Sequence, residues 1–131
     1  MSTIEWNDDT ETVKLIDQTL LPGEYRIVAC RRVAELIDAI KRLMVRGAPA
    51  LGVAGAFGVV LACINARDTK ELKAEVEQLK NARPTAINLS YGVIRALNAA
   101  LAGTTMVEMK EYALEEANRI AEEDVAVNKK L

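Results

Sequence analysis

The chain has 131 residues, half of them apolar, which suits one domain with a buried core. Seventeen Lys and Arg stand against nineteen Asp and Glu, a net charge of -2, so no global positive field draws nucleic acid or an acidic membrane surface; any anion must be held by local groups. No histidine is present, which removes the commonest general base and every His-containing triad, and Cys30 and Cys63 lie far apart without CxxC spacing, so no zinc set is expected.

In chain order, residues 1–9 carry Glu5, Asp8 and Asp9 and lack an apolar run behind a basic cap; the expectation is a cytoplasmic protein. Residues 3–6 and 12–17 read as short strands around the turn formers Asn7, Asp8 and Asp9, and residues 25–30 as a third strand from their β-branched and aromatic content. From Val33 the period changes. Val33, Leu36, Ile37, Ile40, Leu43 and Met44 share one helical face opposite Glu35, Asp38, Lys41 and Arg42.

Residues 49–65 predict a helix buried on all sides, with Pro49 in its first turn. The uncharged stretch 47–66 matches the length of a membrane span, about 20 residues, but its proline turn and its glycines favour a core helix, so no membrane partner is expected. Gly52, Gly55 and Gly58 lie on one side and admit a second backbone. They match neither GxGxxG nor GxxxxGK[ST], which argues against a nucleotide loop.

Thr69 is placed as the cap of a helix over 70–82 with a buried stripe of Leu72, Val76 and Leu79. Arg83 and Pro84 break the pattern; Thr85 opens a helix to Leu101, ended by Gly103. A last helix begins near Thr105 or Met106, with Met109, Tyr112, Ala113, Ala117, Ile120 and Ala121 inward. It meets no stop signal before Leu131, which reads as a cut in a longer chain. The expected fold is α+β: a small three-stranded antiparallel sheet over 1–30 and a bundle of about five helices over 33–131, one domain in all.

Two segments point to chemistry. In Val45-Arg46-Gly47-Ala48-Pro49-Ala50 an arginine and a flexible turn lead into the start of a buried helix, where free N–H groups, the helix dipole and a guanidinium together suit a phosphate. Arg83-Pro84-Thr85-Ala86-Ile87-Asn88 repeats the arrangement, and the two together would hold one phosphorylated ligand. The same arginines also suit plain helix capping or pairing with surface carboxylates.

The phrase from Arg46 to Gly52, followed by the phrase from Arg83 to Asn88, resembles the amino-terminal signature of methylthioribose-1-phosphate isomerases. Ile4-Glu5-Trp6, the run from Leu15 to Pro22 and the run from Glu123 to Asn128 extend the likeness over nearly the whole chain. The resemblance implies conversion of 5-methylthioribose 1-phosphate to 5-methylthioribulose 1-phosphate in methionine salvage, without metal or organic cofactor. It places Arg46, Gly47, Ala48 and Arg83 at the phosphorylated pentose. It also puts the catalytic cysteine and aspartate in a Rossmann-like carboxy-terminal domain beyond this sequence, which would leave this part inactive alone, and makes the full-length protein a homodimer. Cys30 and Cys63 then read as small buried hydrophobes, and Asp17 and Asp124 as structural. Alternatives are a regulatory alpha-type subunit of translation initiation factor 2B, a ribose-1,5-bisphosphate isomerase, or a stand-alone helical interaction module.

Overall fold

The computed structural model describes residues 4–17, 23, 26–45 and 47–130, with side chains as far as Glu123. Strands Ile4–Asn7 (β1) and Thr12–Ile16 (β2) form a hairpin, and Ile27–Cys30 (β3) pairs antiparallel on the other edge of β2, giving the order β1-β2-β3. The hairpin turn closes when the Thr10 N–H donates to Asn7 Oδ1 at 3.0 Å, the local bond that makes asparagine a turn former. Val13 and Leu15 alternate onto the buried face with Cys30 across the ladder. The expected strand starts at Thr3 and Tyr25 lie outside the described residues.

Among the described residues five helices follow: Val33–Lys41 (α1), Ala48–Asn65 (α2), Thr69–Lys80 (α3), Ile87–Ala100 (α4) and Met106–Lys130 (α5). The fold is α+β, as the sequence predicts. α2 is the hub, packing against the other four helices and against β1 and β2. It is long and apolar enough to cross a membrane, with mean hydropathy 1.8, but 72% of it is buried inside the fold, so its apolar surface is spent on the core. Trp6 stacks on Phe57 with ring centroids 6.0 Å apart and so seats the sheet on α2.

The helix ends correct two expectations. Asp68, not Thr69, caps α3: its carboxylate accepts from the Glu71 N–H at 2.9 Å, and Thr69 is the first helical residue. Thr85 does not open α4. The Ala86 N–H bonds the Arg83 carbonyl at 2.9 Å, which folds residues 83–86 into a turn and delays the helix to Ile87. Tyr112, expected inward, is 37% exposed on α5.

α1 ends in paired C-terminal hydrogen bonds, Met44 N–H to Ala39 O at 3.0 Å and Leu43 N–H to Ile40 O at 3.1 Å. That motif puts Leu43 at φ 64°, where glycine is usual, and its side chain is exposed. The left-handed backbone costs a side-chain-bearing residue about 1–2 kcal/mol, partly offset by the greater freedom glycine loses on folding. Leu43→Gly is therefore expected to stabilise the fold by about 0.5–1 kcal/mol. Urea denaturation checks this, and a lowered midpoint would contradict it.

Candidate functional site

The starts of the five helices fall into two kinds. α1, α3 and α5 each carry an acidic residue in the first turn: Glu35, Glu71 and Glu108. Each carboxylate accepts backbone N–H groups at its own helix start, such as Arg32 to Glu35 at 3.1 Å, Arg67 to Glu71 at 2.8 Å and Thr104 to Glu108 at 3.0 Å. The hydrogen bonds from Arg67 and Thr104 hold the Glu71 and Glu108 carboxyls below the ordinary range.

α2 and α4 have neither an acidic first turn nor a side-chain cap; their N-caps are Gly47 and Ala86. Gly47 adopts φ 91°, a conformation that a side chain would strain, as the chain turns into α2. The first N–H groups of both helices lack intrahelical acceptors, and both dipoles present positive ends. These two starts open into the same cleft of 360 Å³, lined by Gly47, Ala48, Leu51, Arg83, Thr85 and the first residues of α4. Its only charged lining residue among those described is Arg83, whose side chain is half-buried and makes no ion pair or hydrogen bond with any described residue. Pairing with a surface carboxylate, the plainer expectation for this arginine, is thus not found among the described residues. Gly47, Ala48 and Arg83 are brought together; Arg46 lies outside the described residues.

A second cleft, of 210 Å³, adjoins the first across a shared wall of Ala48 and Asn88. Its lining adds Pro49, Gly52, Tyr91, Arg95, Ile120 and Glu123 and is mainly apolar. Arg95 is fully engaged: it donates to Glu123 Oε1 at 3.0 Å, Glu116 Oε1 at 3.3 Å and Tyr91 Oη at 3.3 Å, and its guanidinium lies 5.5 Å from the Tyr91 ring centroid. Burial opposes its charge, but the bonds to Glu123, Glu116 and Tyr91 outweigh burial and raise its pKa further. Sequence reading reached Asn88 only within the Arg83 phrase and missed Tyr91 and Arg95 as lining residues, although the three recur at helical spacing on one side of α4.

Nothing among the described lining residues is a free acid or base. Cys30 and Cys63 are buried; burial, with Glu35 and Asp38 nearby, pushes the Cys30 thiol up to about 11, and burial alone pushes Cys63 to about 12. Both stay protonated at neutral pH and do not serve as nucleophiles. Native protein at pH 8 is expected to react with a thiol reagent at least about tenfold more slowly than denatured protein. Equal rates in the two states would contradict this. Among the described residues no three His, Cys, Asp or Glu side chains gather where a metal ion would be held.

Two uncapped helix starts and an arginine without a described partner thus share one cleft of an α+β fold, and the chain was compared with known proteins. The model of the Initiation factor 2 subunit family matches residues 44–131, and the chain belongs to that family. A relative from Methanosarcina acetivorans, provisionally named a methylthioribose-1-phosphate isomerase, is 47% identical over 98% of this chain and 39% of its own length. A relative from Moorella thermoacetica named 5-deoxyribose 1-phosphate isomerase is 44% identical over 97% of this chain and 38% of its own. Among solved structures, that of a protein named translation initiation factor eIF-2B, subunit delta, from A. fulgidus superposes with a TM-score of 0.88 at 49% identity, covering 95% of this chain and 38% of that one. 5-Methylthioribose 1-phosphate isomerase from Pyrococcus horikoshii superposes with a TM-score of 0.84 at 34% identity, covering 94% and 36%. The chain thus spans about two fifths of the length of the relatives it matches.

Proposed function

We propose that this chain is the amino-terminal, phosphate-holding part of an aldose–ketose isomerase that converts 5-methylthioribose 1-phosphate to 5-methylthioribulose 1-phosphate, as in methionine salvage. The observation that carries this reading is the convergence of the uncapped α2 and α4 starts on the cleft that holds Arg83. A bound phosphate ester would supply the acceptors that Glu35, Glu71 and Glu108 supply elsewhere, and Arg83 would neutralise it. Arg46 belongs to the same proposed set, with Gly47 and Ala48 contributing backbone.

The reaction gives such a handle a use. Its net change breaks the C1–O4 ring bond, moves the C2 hydrogen to C1 and shifts the C2 hydroxyl proton to O4 as C2 becomes a ketone, and the phosphate stays attached throughout. Groups fixed on the phosphate therefore orient every step without entering bond breaking. Proton transfer needs an acid or base beside C1 and C2. Neither buried cysteine nor the paired Glu123 fits that role; on this reading the catalytic cysteine and aspartate are those that the family resemblance places in a further domain, and this part would be inactive alone. Exposed apolar Ile87 and Tyr91, which line the two clefts, suit cover by further protein. No metal or organic cofactor, nucleic acid or membrane enters the proposal; the protein would act in the cytoplasm as a homodimer.

A second reading, a regulatory subunit of translation initiation factor 2B, is favoured by the close superposition on the A. fulgidus protein of that name. An isomerase assay on the intact protein separates the two. Turnover supports the enzyme, and none supports the subunit.

A further inference from the structure

We propose that the glycine crossing of α2 and α4 is a positioning device: Gly52, with Gly55 and Gly92, holds the two helix starts close enough for both to bond one phosphate. This rests on the reading of the first cleft as a phosphate holder, and it adds residues that act without touching the anion.

The crossing lies at the cleft end of both helices. Gly52 is the fifth residue of α2 and Gly92 the sixth of α4. At about 1.5 Å per residue, each start is within roughly 8 Å of the crossing. There the backbones meet. A Cβ on Gly92 would land on the Gly52 carbonyl, one on Gly55 would stand 2.8 Å from the Leu89 carbonyl oxygen, and one on Gly52 would stand 3.3 Å from that of Asn88. Asn88 belongs to the first turn of α4 and lines the cleft. Electrostatics opposes this arrangement, because it points two positive helix ends and the Arg83 guanidinium into one cleft with no carboxylate among its described lining residues. Close packing over glycine imposes it, and an anion between the starts relieves it. The tolerance is narrow: an N–H group bonds an oxygen over about 2.7–3.2 Å, so a shift of a few tenths of an ångström takes one start out of reach.

Gly58 supplies the contrast. It lies roughly 9 Å further along α2, where a Cβ would meet the side-chain ends of Leu36 and Leu79 on α1 and α3.

The test titrates inorganic phosphate into the intact protein and its variants Gly52→Ala, Gly58→Ala and Arg83→Ala, with urea denaturation alongside. In Gly52→Ala the methyl displaces the Asn88 carbonyl, and with it the α4 start, by a few tenths of an ångström. Phosphate should bind about three- to tenfold more weakly, while the denaturation midpoint stays near the parent's because alanine is the better helix former. Gly58→Ala should lower the midpoint and keep the parent's phosphate affinity. Inorganic phosphate needs only the first cleft, whose lining does not include Gly52, so the methyl cannot act by filling the second. In the isomerase assay the Gly52→Ala loss should appear in KM with kcat kept, the mark of a handle held equally in ground and transition states. Parent-like phosphate affinity in Gly52→Ala, equal losses in Gly52→Ala and Gly58→Ala, or a fall in kcat at constant KM would overturn the inference. If Arg83→Ala is weakened and Gly52→Ala is not, the phosphate cleft stands and only the positioning role fails. If neither is weakened, or the parent binds no phosphate, both fail.

Discussion

Replacing Gly92 by alanine is expected to destabilise the fold by at least about 2–3 kcal/mol, although alanine is the better helix former by about 1 kcal/mol. The reason is the crossing of α4 over α2. A Cβ at Gly92 would land on the Gly52 carbonyl oxygen, with Gly52 C at 2.8 Å and Cα at 3.0 Å behind it. One turn further along, a Cβ at Gly55 would meet the Leu89 carbonyl at 2.8 Å and Val93 Cγ2 at 2.9 Å. The obstacle is backbone, which cannot rotate aside, so the helices must separate and the core between them loosens. Such a loss is a large share of a typical total stability of about 5–15 kcal/mol. Asn98→Ala, on the exposed side of the same helix, should stay within about 0.5 kcal/mol of the parent and serves as the control. A Gly92→Ala protein with the parent's denaturation midpoint would contradict this packing. Because Gly52 and Asn88 line the clefts, the same crossing sets their shape.

The second large effect is on binding. Arg83→Ala should weaken phosphate esters by about 10- to 100-fold, the worth of hydrogen bonds from a charged donor, about 1.5–3 kcal/mol. Stability should change little, since the side chain makes no hydrogen bond or ion pair with a described residue that the variant would break. Arg83→Lys should recover only part of the affinity, because an ammonium lacks the planar fork that meets two phosphate oxygens. Calorimetric titration with a pentose 1-phosphate measures both. Parent-like affinity for Arg83→Ala would remove this residue from the site.

Much of the fold was legible in the sequence because each element states its period locally. Val13 and Leu15 alternate, Leu72, Val76 and Leu79 repeat every three or four residues, and the uncharged run after Pro49 is apolar on every side. Helix starts were read less well, since Asp68 and Thr69 are both capping residues and only the bond to the Glu71 N–H decides between them. The turn at residues 83–86 depends on one backbone bond that composition does not announce.

The candidate site divides the same way. Arg83 and the Gly47-Ala48 turn stand in short phrases and could be singled out in sequence, but that the two phrases face one cleft depends on the α2–α4 crossing. The second cleft was hidden because it is assembled from three helix segments. Ile120 reads as an ordinary core position, and Arg95 as an ordinary surface charge until its partners on α5 are known.

The most direct test of the central claim is an isomerase assay on the intact protein with 5-methylthioribose 1-phosphate, run beside its Arg83→Ala variant. The expected result is formation of 5-methylthioribulose 1-phosphate by the parent and a kcat/KM about 10- to 100-fold lower for the variant. No product from the parent, or equal rates from the two proteins, would contradict it.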